Sequence, residues 1–146
     1  MIVLADQFTK FLVTRSLALN LPVVFINPVV YFTLVHNRGA AFGIMKNQTP
    51  VFIITSVVAI SLIIAELRKK CNPVLSLYNI SLGLILGGAL GNLIDRLLFG
   101  YVIDFIDLRF WPVFNVADSS ITIGACIFAF QILFGRPRLG KCRNIS

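Results

Sequence analysis

The chain has 146 residues, 58% of them hydrophobic and 13% charged, with 13 Lys and Arg against 6 Asp and Glu for a formal net charge of +7. Soluble domains are about a quarter charged, so this chain cannot cover a globular surface with polar groups, and one integral membrane domain over residues 1–146 is expected, with no separate soluble domain. Composition excludes disorder, collagen-like repeats and a disulfide scaffold, while the single histidine, His36, excludes a His-rich metal site and any mechanism that needs two imidazoles.

Along the chain, the first stretch, about 1–19, is apolar but carries Asp6, Lys10 and Arg15. Asp6 and Lys10 stand one helical turn apart and can neutralise each other on one face, which predicts a first helix. No charged leader with a short apolar core precedes Asp6, so the protein is expected to be held in the membrane by its own spans. LPVVFINPVVYFTLV, from Leu21 to Val35, is rich in β-branched and aromatic residues and is broken by Pro22 and Pro28. Two prolines disrupt a helix interior, so short surface strands are predicted within a β and loop region at about 20–46, although hydropathy alone would favour a kinked span.

Gaps between charges then define three spans. Asn47 to Ala65 is 19 residues without a charge, Cys71 to Ile94 is 24, and Ser119 to Gly135 is 17. At ~1.5 Å rise per residue each crosses most or all of a ~30 Å hydrocarbon layer. Helices are expected at about 48–67, 73–98 and 118–135, with an outer loop at about 99–117 and a basic tail over 136–146. The expected fold class is an all-α membrane protein, a four-transmembrane-helix bundle with a small extracytoplasmic β element. Arg68, Lys69 and Lys70 lie between the second and third helices, and Arg136, Arg138, Lys141 and Arg143 follow the fourth. Basic clusters bordering apolar runs suit a lipid surface better than nucleic acid and mark cytoplasmic loops, which sends the 99–117 loop to the outer face and the C-terminus to the cytoplasm. The cysteines, Cys71, Cys126 and Cys142, have no zinc or disulfide spacing and are expected as reduced thiols.

The outer loop holds the most informative chemistry. It places Asp104 just past the third helix and Asp118 just before the fourth. Two carboxylates that approach closely in a poorly hydrated site cannot both ionise. They share one proton, so one can deprotonate water while the other donates to a peptide carbonyl, as metal-free amide hydrolysis requires. Taken singly, Asp118 before Ser119 and Ser120 reads as a helix N-cap, and Asp107 as an interfacial residue facing water. Asn92 and Arg96 share a helical face; Arg96 could hold a substrate or form a structural salt bridge with Asp95 or Asp6. Gly83, Gly87 and Gly91 repeat every four residues and predict close helix packing over part of their length. His36 is expected to be a bystander, and the loop HNRGAAFG (His36 to Gly43) could bind an extended peptide. Intramembrane Asp, Lys and Arg also mark ion pathways, so a small proton- or ion-conducting membrane protein is the alternative. A Ser-Lys dyad has no support, because Ser16 is off the helical positions that face Lys10.

The ordered segments DQFTK (Asp6 to Lys10), HNRGAAFG, GGALGNLIDR (Gly87 to Arg96), YVIDFID (Tyr101 to Asp107) and FNVADS (Phe114 to Ser119) closely resemble bacterial lipoprotein signal peptidase, also called signal peptidase II, over nearly the whole chain. The resemblance implies an aspartic endopeptidase of the bacterial cytoplasmic membrane that removes signal peptides from diacylglyceryl-modified prolipoproteins, cutting just before the lipidated cysteine. It places the catalytic pair on Asp104 and Asp118, and substrate-binding or supporting roles on Asn37, Gly39, Asn92, Arg96 and Asn115. Asp6 and Lys10 become a structural polar pair. It further implies an active site at the outer face, contact with membrane lipids, no metal or other cofactor, a monomer, and inhibition by globomycin in the same cleft. Only five residues precede Asp6, fewer than the family usually has, so the expectation is either an incomplete first helix or a chain that begins at a later start.

Overall fold

The computed structural model describes residues 1–26, 29–39, 48–69 and 76–134. Its elements run α1 (Ile2–Ser16), β1 (Pro22–Ile26), β2 (Val30–Asn37), α2 (Thr49–Leu67), α3 (Leu77–Phe99), β3 (Val102–Asp107) and α4 (Val116–Phe134). Three of these helices, α2, α3 and α4, are long and apolar enough to cross a membrane. At 15 residues α1 extends only about 22 Å. Its exposed Leu4, Phe8, Phe11 and Leu12 nevertheless form one apolar stripe, with Asp6 and Lys10 buried on the other side.

Helix ends follow local chemistry. Pro50 opens α2 in the first turn, where its missing N–H costs nothing. The Ser76 hydroxyl accepts the Asn79 N–H at 3.2 Å to start α3. Gly100, at φ 78°, ends α3 in the left-handed conformation that only glycine adopts freely. Helix α3 is the hub, packing against α1, α2 and α4. On the predicted glycine stripe, a Cβ at Gly87 would lie 2.9 Å from Ile2 and one at Gly91 would lie 2.6 Å from the Asp6 carboxylate, whereas Gly83 faces open space. Close packing against α1 therefore uses two of the three. Gly88 makes the equivalent approach to Ala117 of α4.

The strands form an antiparallel sheet in the order β1-β2-β3. Strand β3 lies inside the stretch expected to be loop; its partner β2 is about seventy residues away, a pairing that no local pattern reveals. Phe32 pairs with Ile106 but Val35 with Asp104, so β2 carries one extra residue between them. Because side chains alternate faces, that single insertion puts Asn37 on the same face as Asp104; in a regular register it would point the other way. The opposite edge of β3 is closed by Phe114, whose backbone exchanges hydrogen bonds with Ile106 at 2.8 and 3.1 Å. The chain thereby enters α4 beside Asp104.

Helix α4 starts two residues before Asp118. The expected cap is displaced: the Asn115 side-chain oxygen accepts the Asp118 N–H at 2.9 Å, and an Asp118 carboxylate oxygen accepts the Asn115 N–H at 3.3 Å. This is a reciprocal capping box with Asn115 as cap and Asp118 in the first turn. Residues 40–47 of the loop before α2, Cys71, Lys70, the 136–146 tail and Cys142 lie outside the described residues. Cys126 is a free thiol on an exposed face of α4.

Candidate active site

Four of the six acidic residues, Asp6, Asp95, Asp104 and Asp118, lie in one polar interior, in two groups with different partners. In the first, Lys10 Nζ lies 2.8 Å from Asp6 and 2.8 Å from Asp95, and donates to Asn92 Oδ1 at 3.1 Å. Its three ammonium hydrogens are thus all used. Asp6 also accepts the Ala117 N–H of α4 at 2.9 Å, and Asp95 accepts the Ile103 N–H of β3 at 3.0 Å. Gln7, which sequence reasoning missed, donates to Asp95 at 2.9 Å and Asp6 at 3.2 Å. The available signal was its position three residues before Lys10, on the same helical face. This cluster ties α1, α3, β3 and α4 together at one point. It takes both carboxylates that were candidate partners of Arg96, because Lys10 reaches them from α1 while Arg96 turns toward the cleft.

The second group is Asp104 and Asp118. Asp104 is 2% exposed. Its two oxygens accept from Asn115 Nδ2 at 2.7 Å and Asn37 Nδ2 at 2.9 Å. Asp118 accepts from Asn92 Nδ2 at 2.7 Å and from the Asn115 N–H. Asn115 therefore bridges the two carboxylates, through its side chain to one and its backbone to the other. It also donates to Asn92 Oδ1 at 3.1 Å, closing the network. Asn37 is oriented by accepting the Gly39 N–H at 2.9 Å. Among the described residues, every buried side-chain polar atom has a partner, yet no cation forms an ion pair with either Asp104 or Asp118. Burial, followed by the nearby negative charge of Asp118, pushes the Asp104 carboxyl up to about 7.

Both carboxylates line a cleft of about 270 Å³ together with Asn37, Gly39, Asn92 and Arg96, and Trp111, Pro112, Val113 and Phe114 form a further part of its wall. The Arg96 guanidinium lies 5.1 Å from the Phe52 ring centre and 3.5 Å from the Asn92 carbonyl oxygen. It forms no ion pair among the described residues and lines the cleft.

One sequence expectation changes. Asp107 does not face water: it is 7% exposed and accepts from the Thr33 hydroxyl at 2.8 Å and the Arg109 N–H at 2.8 Å, because β3 turns its side chain under β2. His36 stacks on Tyr101 at 4.1 Å, and its imidazole is held below its usual range by burial and then by Arg38.

Lipid-length helices around a cleft with two amide-bridged carboxylates define the class: an integral membrane protein built around an acid–base site. The profile of the family described as Signal peptidase (SPase) II matches residues 1–134, and the chain belongs to that family. It is 45% identical over 136 residues to the lipoprotein signal peptidase of Moorella thermoacetica, covering 93% of this chain and 90% of that protein. To the lipoprotein signal peptidase of Caldanaerobacter subterraneus it is 50% identical over 135 residues, with 91% of each covered. A bacterial membrane enzyme solved by the in meso method at 2.3 Å resolution superposes with a TM-score of 0.85 at 32% identity, covering 90% of this chain and 82% of that one. A second, solved at 1.9 Å resolution, gives 0.83 at 31% identity, covering 92% and 89%. The chain is a membrane protease, and the ion-conducting alternative is not favoured.

Proposed function

We propose that this chain cleaves the signal peptide from diacylglyceryl-modified prolipoproteins just before the lipidated cysteine, with Asp104 and Asp118 as the catalytic pair. The observation that carries the reading is the Asn115 bridge between the buried Asp104 carboxylate and the half-buried Asp118 carboxylate, whose hydrogen-bond donors are all amides. In the productive state the pair holds one proton. The ionised carboxylate takes a proton from water as its oxygen attacks the scissile carbonyl carbon, and the protonated partner donates to the carbonyl oxygen. When the tetrahedral intermediate collapses, the C–N bond breaks and the proton taken from water passes to the departing cysteine amine. The carbonyl-oxygen proton returns, leaving the pair with one proton again.

Asn92 and Asn115 hold the pair in place, Asn37 and Gly39 present Asp104 to the cleft, and Arg96 donates to substrate backbone carbonyls. Asp6 and Lys10 serve as a structural pair. Helix α1 is read as the fourth span, since its charged side is neutralised within the bundle and its other side is apolar. The chain acts as a monomer, with its site at the outer face of the bacterial cytoplasmic membrane and its C-terminus in the cytoplasm, as the basic residues around Arg68 favour. Globomycin is read as an occupant of the same cleft.

The test is purified protein with a dipalmitoylglyceryl precursor peptide. Cleavage immediately before the modified cysteine, insensitive to chelator and blocked by globomycin, is expected. No cleavage, or cleavage abolished by chelator, would overturn the reading.

A further inference from the structure

Beside the cleft that holds the two aspartates lies a second lobe, of about 320 Å³, along α4. The two share Trp111, Phe114, Asp118 and Thr122. Beyond these, the lobe is walled by Leu108, Phe110, Ser119 and Ile123. Its two hydroxyls use their hydrogens within the helix, so neither has a proton left to donate to a ligand: Ser119 donates to the Asn115 carbonyl at 3.0 Å and Thr122 to the Asp118 carbonyl at 2.9 Å. Away from the Asp118 rim, the lobe therefore offers an incoming molecule an apolar wall. Phe110, Trp111 and Ile123, which all line the lobe, remain more than half exposed. Arg109, at φ 67°, turns the chain after β3, and the Phe110 N–H then bonds the Leu108 carbonyl at 2.8 Å. The loop is thereby folded so that its aromatic residues wall the lobe.

Resting on the reading given under Proposed function, we propose that this lobe receives one acyl chain of the substrate's diacylglyceryl group and sets the requirement for a lipidated cysteine. Only an apolar occupant suits it. Asp118 lines both the lobe and the cleft, so an occupant of the lobe lies beside the site that takes the scissile bond. The geometry matches the substrate's covalent order, in which the modified cysteine immediately follows the bond that is cut. The lobe accepts a chain laterally from lipid along α4 while the peptide lies across Asp104 and Asp118.

The test compares kcat/KM for dipalmitoylglyceryl and dibutyrylglyceryl forms of one precursor peptide. Ile123 touches the apolar lobe and not the polar cleft, so Ile123→Trp fills the lobe from its far side. The long-to-short ratio is expected to fall at least about tenfold in Ile123→Trp, and Ile123→Ala should keep a ratio well above the Trp variant. A ratio unchanged in a folded Ile123→Trp protein overturns the proposal while leaving the peptidase reading intact. Wild type that cleaves neither form overturns both. Should Ile123→Trp not fold, wild type with a precursor carrying a mid-chain photoreactive diazirine gives the answer. Adducts on Leu108, Phe110 or Ile123 support the lobe, and adducts confined to α2 or α1 overturn it.

Discussion

The Lys10 cluster and the Asp104–Asp118 pair lie side by side in one bundle, and each brings two carboxylates together, both buried in the first and one buried and one half-buried in the second. Around Lys10 the charges are answered by a cation held 2.8 Å from both acids. Around Asp104 the donors are neutral amides of Asn37, Asn92 and Asn115. Removing one member of a neutralised group leaves an uncompensated buried charge and threatens the fold. A pair whose hydrogen-bond donors are all neutral is relieved by holding a proton, which equips it for acid–base chemistry. Asn92 joins the two regions, accepting from Lys10 and donating to Asp118, so the rigid cluster orients the reactive one.

The largest expected contrast is in activity. Asp104→Asn or Asp118→Asn should lower cleavage of a lipidated precursor by about 10²–10⁴-fold or more, with thermal unfolding in detergent little changed. Lys10→Ala should do the reverse in kind, costing about 3–5 kcal/mol of stability, read as a lowered unfolding temperature before any assay of turnover. Gly91→Ala pushes a methyl against the Asp6 carboxylate and should cost about 1–3 kcal/mol. Gly83→Ala, which meets nothing within 4 Å, should be neutral or slightly stabilising. The smallest effect concerns pH. Asp104 is held near 7 when folded against about 3.9 when unfolded. The folded protein thus keeps a proton that the unfolded chain releases, and this group's contribution to stability declines as pH rises from about 4 to about 7. Activity should likewise fall above about 7 as the pair loses its proton. Asn37 donates to Asp104 and favours its ionised form, so Asn37→Ala should move that upper limb higher by about half to one pH unit.

Much of this was legible in the sequence where a single segment decides its own structure. Charge-free runs mark α2, α3 and α4 because lipid selects directly on composition and length. Pro22 and the β-branched residues around it mark strands rather than a span. The four-residue spacing of Asp6 and Lys10 gives their ion pair. What escaped depends on partners far away in the chain. Strand β3 exists because β2 pairs with it; the capture of Asp95 by Lys10 rather than by its neighbour Arg96 needs α1 packed on α3. The position of Asn37 on the Asp104 face comes from one extra residue in β2. Asn115 and Asp118 could have been read as a capping box from their spacing alone, but Asp-Ser-Ser before an apolar run offered a competing start three residues later.

The most direct test of an unneutralised, proton-sharing pair is a carboxyl ¹³C NMR titration of Asp104 in detergent micelles, in wild type and in Asp118→Asn. A midpoint near 7 in wild type, falling when the neighbouring charge is removed, is the predicted result. A wild-type midpoint near the ordinary ~3.9 of an aspartate, or one that Asp118→Asn leaves unmoved, would contradict it.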